Sequence, residues 1–372
     1  MKKLYFIFCE YDELIHKTKD PGIFLKFFQE EFDTTLVCIK PNDNSVRALF
    51  LSRDEIYAGN WLSDENAILF VFHGSKAFVR LYQRAKNLKC KIIVKLDTDG
   101  HLVQKTWRFW DKAIYGQLRD DKIKINKYLG HFKKFLYINS WAKSRGYDFI
   151  DALIVESEVA RKRYSSALPL YANKVHVIPN GYFFDYHVGN IHKENIISAA
   201  ARWTDFKPKQ PELLISVIKE IVTKNRDYRF VIAGTIAEKY LEPLQDLNES
   251  EKSRISFVGN LSHDEVLALY NESKISLSTS RWEGFPVSTL EALSRGNSLV
   301  TTPTAASEQT LDGECGSVSG WTKKSFVLAL LGEISKWDVG DRSPVKIMNK
   351  ASNYFDYRTS IIPKVVALID SL

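Results

Sequence analysis

The sequence is poor in cysteine: Cys9, Cys38, Cys90 and Cys315 are all it has in 372 residues, far apart and with no CxxC pair. That scarcity excludes a disulfide scaffold and a cysteine-built zinc knot, and it leads us to expect a reducing, cytoplasmic setting. Long apolar runs are missing too. No strictly apolar run exceeds six residues, as at 67–72 and 326–331, against the roughly 20 that a membrane-spanning helix needs. Lys2 and Lys3 precede an apolar start, but Glu10, Asp12 and Glu13 follow at once, so residues 4–9 read as a first β-strand rather than a secretory signal. Low-complexity tracts and internal repeats are lacking as well. What is present, 45% hydrophobic, 13% aromatic and 26% charged residues, excludes disorder and collagen-like structure and matches a soluble globular chain. The length points to two domains, at roughly 150 residues each.

Negative charge is scarce over one long stretch. Residues 76–145 hold 18 Lys and Arg against 5 Asp and no Glu, a surplus of 13, which leaves −6 for the rest of a chain whose total is +7. Interleaved with these cations are Trp107, Phe109, Trp110, Tyr115, Tyr128, Phe132, Phe135, Tyr137 and Trp141. Cations mixed with amphipathic rings suit an anionic membrane surface; a solvated basic face over ordinary core aromatics is the plainer alternative. No recognisable nucleic-acid module accompanies the charge, so no nucleic-acid partner is expected.

Short β-rich apolar stretches alternate with helical ones. Strands are expected at residues 4–9, 35–39, 67–72, 91–96, 152–155 and 175–178, then at 196–200, 229–233, 255–258, 275–278 and 298–301. Helices are expected at 211–224, 263–271 and 287–294. This rhythm predicts α/β structure with two parallel, doubly wound sheets. Turn chemistry at Pro179, Asn180 and Gly181, followed by a polar stretch, marks a boundary. We expect one domain over 1–188, to which residues from about 353 to 372 return, and a second over 189–352. In such sheets ligands bind beyond the carboxyl ends of the strands.

The most informative run is residues 278–293, STSRWEGFPVSTLEAL. It reads as a strand end, a tight turn at Gly284 and a helix opening at Pro286, with unpaired N–H groups around Val287 to Thr289 that suit an anion. Glu283 precedes the helix and Glu291 lies inside it, so the two reach different parts of an extended ligand.

This run resembles the donor-binding signature of retaining glycosyltransferases of family four, also called glycosyltransferases group one, down to the E-x7-E spacing followed by Gly-Phe-Pro. The segment 200–207, AARWTDFK, resembles the family's diphosphate-binding pair, with Arg202 and Lys207 in the two basic places; Pro208 stands where a glycine usually follows. Residues 177–181 (VIPNG), 255–261 and 296–303 extend the similarity, which is strong over 150–320 and weak before. The resemblance implies the GT-B fold: two Rossmann-like domains facing a cleft, with a C-terminal helix crossing back to the first. It also implies a metal-independent hexosyltransferase that needs no cofactor beyond its nucleoside diphosphate sugar and delivers the sugar to a glycan or lipid-linked acceptor in surface polysaccharide assembly. A peripheral place on the inner face of the plasma membrane would follow. Arg202 and Lys207 would hold the diphosphate, Glu283 the donor sugar with the turn Gly284, Phe285, Pro286, Val287 and Ser288, Glu291 the ribose, and Leu261 the base. Rival readings are a noncatalytic carbohydrate- or lipid-binding scaffold on the same fold, or a sugar-nucleotide epimerase or phosphorylase.

The first domain departs from the family pattern. Gly22 is the best stand-in for the usual glycine loop. The segment 95–101, KLDTDGH, stands where a histidine is usual, which leaves open whether Asp97, Asp99 or His101 meets the substrate. Asp97 ends its strand most directly and is the catalytic candidate; His73 is a further acceptor-side candidate. Asp97-Thr98-Asp99 also reads as a metal-binding DxD pattern, but in the wrong half of the chain for the nucleotide, so no metal is expected.

Overall fold

The computed structural model describes residues 1–16, 19–40, 47–103, 125–184, 192–204, 206–304, 307 and 313–372. Two compact units emerge. The described part of unit 1 comprises residues up to 103, 125–179 and 362–372; that of unit 2 lies within residues 180–361. The chain changes unit after Pro179 and again after Ile361, rather than near 188 and 353 as the polar stretches suggest.

Unit 1 holds a parallel sheet of β1 (Lys3–Ile7), β2 (Asp33–Cys38), β3 (Ala48–Phe50), β4 (Ile68–Phe72), β5 (Lys91–Lys95), β6 (Ala152–Val155) and β7 (Val175–Val177), in the order β3-β2-β1-β4-β5-β6-β7. Its helices include α1 (Asp20–Glu31), α2 (Arg53–Ala58), α3 (Val79–Asn87), α4 (Ile125–Leu136), α5 (Ile138–Ser144) and α6 (Glu158–Ala167). The central strand β4 reads ILFVF and is buried at every position, as a parallel strand covered on both faces requires. On one face Phe6, Phe24, Phe28, Phe70 and Phe72 pack ring against ring, with centroids 4.9–6.0 Å apart.

Unit 2 repeats the plan with β8 (Glu194–Ala200), β9 (Arg229–Ala233), β10 (Ile255–Gly259), β11 (Ser273–Ser278), β12 (Ser298–Thr301) and β13 (Gly316–Val318), ordered β10-β9-β8-β11-β12-β13. Around it lie α7 (Pro211–Lys224), α8 (His263–Glu272), α9 (Val287–Ser294), α10 (Lys323–Asp338) and α11 (Pro344–Phe355). A capping box between Ser262 and Glu265 starts α8. Past a π-helical turn at Tyr357–Ile361, α12 (Ile362–Ser371) belongs to unit 1. No disulfide joins the four buried cysteines, and no helix of the described residues is long and apolar enough to cross a membrane.

Candidate active site

In unit 2 the strand order reverses between β8 and β11, so the loops leaving their carboxyl ends diverge and make room for a ligand. Three hydrogen bonds stitch those loops together lower down. The Arg281 N–H donates to the Pro208 carbonyl (2.6 Å), the Thr279 hydroxyl to that of Lys209 (2.8 Å), and the Gln210 side-chain amide to that of Thr279 (2.7 Å). Gln210 takes a left-handed φ of 51°, and Pro211 then opens α7. The loop is thereby turned so that the Lys209 ammonium pairs with the Glu283 carboxylate, at side-chain exposures of 21% and 17%. Both line a pocket with Trp203, Tyr270, Ser278 and Ser288.

The turn carrying Glu283 is held from both sides. The Asn180 side-chain amide donates to the Phe285 carbonyl (3.1 Å), and the Thr302 hydroxyl donates to that of Ser280. Pro286 stands at the cap of α9, and no side chain among the described residues caps the helix. The first-turn N–H groups at Val287 and Ser288 have no partner within a helix and carry the positive end of its dipole. An anion placed there would meet these groups and the Lys209 ammonium together.

Glu291, on α9, is largely buried and pairs with His263 Nε2 at 3.0 Å, from the first residue of α8. Burial raises its carboxyl above the usual range, and His263 partly offsets this. The two glutamates thus have different partners on different elements. Leu261 is half-buried against Ile196, Val231, Ala233 and Leu269.

Arg202 is exposed on the β8 loop between the pocket-lining Ala201 and Trp203. The Trp203 indole is buried and donates to the Ala233 carbonyl at 2.7 Å, which anchors that loop to the end of β9. Gly234 makes the close approach possible. Its φ is +101°, and a Cβ there would lie 2.0 Å from the Ala201 carbonyl oxygen. Gly234→Ala is therefore expected to cost at least about 1–3 kcal/mol from the backbone conformation alone, seen as a lower urea midpoint, and to displace the Arg202 loop.

The lysine brought to Glu283 is Lys209, two residues beyond the one singled out from the sequence. Lys207 belongs to the helical turn Phe206–Lys209, but its side chain lies outside the described residues. The signal for Lys209 is Pro211: a proline at the first helical position fixes where α7 begins, and the lysine nearest that point sits on the rigid end of the loop. Asn180, Gln210 and His263 were also missed as supports, because each acts on a partner distant in the chain.

In unit 1, Asp97 is exposed just past β5, whereas Asp99 and His101 are turned inward. Asp99 Oδ2 lies 2.9 Å from His101 Nδ1, and Arg163 from α6 donates to the Asp99 carbonyl at 2.6 Å. Of the three, Asp97 alone is exposed. Gly22 forms no open loop; it is buried in the first turn of α1, where Asp20 makes the polar contact, to Lys95 at 2.6 Å. His73 follows β4 with φ of 55°, exposed at its edge, and the protein packed around it lowers its pKa. Among the described residues no cluster of three or more His, Cys, Asp or Glu is arranged to hold a metal.

Residues 188–320 match the family model described as glycosyl transferases group 1. They form a glycosyl transferases group 1 domain. No curated protein is significantly similar in sequence to the chain. Among solved structures, the lipopolysaccharide outer core galactosyltransferase WaaB in its apo form is similar over 100% of both chains, with a TM-score of 0.69 at 14% identity. Anabaena HepE in complex with UDP and glucose is similar over 100% of both chains (TM-score 0.66, 12% identity), and TarM over 99% of this chain and 98% of its own (0.69, 12%). At these identities the likeness is one of fold, and the fold is GT-B. The family match itself covers residues 188–320.

Proposed function

We propose that the protein is a retaining glycosyltransferase that moves a sugar from a nucleoside diphosphate sugar to an acceptor hydroxyl, without a metal or other cofactor. The observation that carries this reading is the Lys209–Glu283 pair beside the uncapped start of α9. Breaking a sugar–phosphate bond develops negative charge on the departing nucleoside diphosphate, and fixed donors aimed at that charge lower the barrier. Lys209, Arg202 and the amides at Val287 and Ser288 supply such donors. Glu283, released from Lys209 once phosphate takes its place beside the lysine, holds donor-sugar hydroxyls. Glu291 accepts from the ribose, and Leu261 packs against the base. The leaving phosphate takes the acceptor proton, with Asp97 orienting the acceptor hydroxyl.

UDP-glucose is the first donor to try, since a structure of HepE similar to this chain (TM-score 0.65, 13% identity) is of the complex with that molecule. Incubation is expected to release UDP at a rate unchanged by EDTA, with the product linkage keeping the donor's anomeric configuration by NMR. Release that requires an added divalent cation, or an inverted linkage, would contradict this mechanism.

The acceptor we propose is a glycan or lipid-linked sugar of surface polysaccharide or glycolipid assembly, reached at an anionic membrane from the cytoplasmic side. On α4 and just beyond it Leu129, Phe132, Leu136 and Tyr137 are exposed, in company with Lys133 and with Lys134, whose ammonium lies 3.8 Å from the Trp141 ring centroid. Exposed apolar groups among cations favour insertion at an anionic headgroup boundary. Residues 104–124, with Trp107, Phe109, Trp110 and Tyr115, lie outside the described residues. Flotation is expected with vesicles rich in phosphatidylglycerol and not with phosphatidylcholine alone; failure with both would contradict the docking.

A further inference from the structure

On unit 1 a hollow opens that the donor chemistry above does not use. Helix α2 leaves the carboxyl end of β3 under a capping box between Ser52 and Glu55, and a 3₁₀ turn, Lys76–Phe78, leads from the end of β4 into α3. The two segments share one core, in which Ile56 from the first and Phe78, Leu81 and Tyr82 from the second are buried together. At Gly59, whose φ is +74°, a Cβ would lie 2.9 Å from Leu81 Cα, so the backbones meet there. Next to that contact they enclose a groove of about 600 Å³, lined by Asp54, Tyr57 and Ala58 on one side and by Lys76, Ala77 and Arg80 on the other. Sites for small molecules have this size.

The cations of the second segment fall into two sets. Away from the groove, Arg84 donates to the Leu62 carbonyl at 2.8 Å and Lys86 pairs with Asp151 at 2.7 Å. Lys76 and Arg80, both exposed in the groove, have no such partner among the described residues. The charges around α2 sort in the same way. Glu55 is engaged by the capping box and Arg53 by Glu10, whereas Asp54 pairs with no cation among the described residues. The groove thus holds two cations and a carboxylate out of ion-pair contact with one another.

A phosphate would satisfy the cations, with charge-assisted bonds from the lysine and the planar fork of the arginine. On its own it would leave Asp54 repelled and Tyr57 uncovered. Sugar hydroxyls can donate to Asp54, and the apolar face of a sugar ring can lie on Tyr57, whose ring is braced edge-on by Phe78 with centroids 4.9 Å apart. We propose that this groove binds a phosphorylated sugar, with its phosphate against Lys76 and Arg80 and its hydroxyls against Asp54. As the phosphate-bearing end of the acceptor, that ligand deepens the transfer reading above and in this role rests on it; the binding itself does not.

The full chain labelled with ¹³C at the alanine methyls reads the groove locally through Ala58 and Ala77, with Ala58→Ser and Ala77→Ser assigning the signals. Glucose 1-phosphate is expected to shift both methyls at concentrations at least about tenfold below those that inorganic phosphate needs, while glucose at the same concentrations shifts neither. Joint replacement Lys76→Ala and Arg80→Ala should weaken glucose 1-phosphate at least about tenfold, the scale of one lost hydrogen bond to a charged group; both side chains are exposed and unpaired, so the fold is kept. Asp54→Ala should weaken glucose 1-phosphate but not inorganic phosphate. No shift with glucose 1-phosphate, an equal response to inorganic phosphate, or a response unchanged in the double variant would overturn the proposal. A glucosyl phosphate ester of a short prenyl alcohol separates the sources: tighter binding assigns a lipid-linked saccharide, equal or weaker binding a free sugar phosphate, and either supports the groove. Lys209→Ala should leave every shift as in wild type, so a failure at the donor site and a failure of this groove are told apart.

Discussion

Lys209→Ala is expected to lower sugar transfer by about 10²–10³-fold, the scale on which one fixed donor to a developing oxyanion acts, while Lys207→Ala loses less than about tenfold. The difference follows from the backbone. Pro208, Lys209 and Gln210 are bonded to Thr279 and Arg281 on the loop after β11, so Lys209 is held in place before any ligand arrives. A fixed cation acts on charge developing in the transition state without reorganising first. Glu283→Ala is expected to remove transfer to a similar degree, but by loss of grip on the sugar, so UDP should still bind. Steady-state rates with UDP-glucose for the three variants check this. Equal losses at Lys207 and Lys209 would show that the loop moves on binding.

Lys95→Met is expected to destabilise the protein by about 3–5 kcal/mol, the cost of breaking a buried ion pair by removing one partner. Burial opposes the ammonium, but the Asp20 carboxylate 2.6 Å away outweighs it and holds its pKa above the ordinary value. The Phe24 and Phe72 rings lie 5.8 and 5.4 Å from Nζ and add attraction. With methionine at 95, Asp20 would be a carboxylate of 10% side-chain exposure without its cation. Adding Asp20→Asn should recover much of the loss, because the uncompensated charge goes with it. Urea unfolding of wild type, single and double variants measures this; a single variant as stable as wild type would mean that water already reaches Asp20.

Legibility in the sequence followed locality. The central strands could be read because a parallel strand covered on both faces is a run of apolar residues: β4 and β6 are buried at every position. The edge strands β3 and β13, each three residues long and only partly covered, were not read, although the equally short β7 was. Glu283, Pro286 and Glu291 stood out because turn, helix start and both carboxylates share one contiguous segment. Lys209 did not, because its assignment depends on hydrogen bonds across about 70 residues. The burial of Asp99 and His101 beside an exposed Asp97 could not be read either, since it involves Arg163, which reaches back 64 residues to the Asp99 carbonyl. Lys95 reads in the sequence as the polar end of a strand; its burial is visible only once α1 and the end of β6 close over it. Ion pairs between distant elements were the part that sequence periodicity does not encode.

The central claim is that the loops after β8 and β11, with the start of α9, bind a nucleoside diphosphate. A ligand that binds the folded state raises apparent stability in step with its concentration. Thermal unfolding of wild type and Lys209→Ala across a UDP titration therefore tests the claim most directly. The account predicts a rising transition temperature for wild type that is largely lost in the variant; no response in wild type, or an equal response in both, would contradict it.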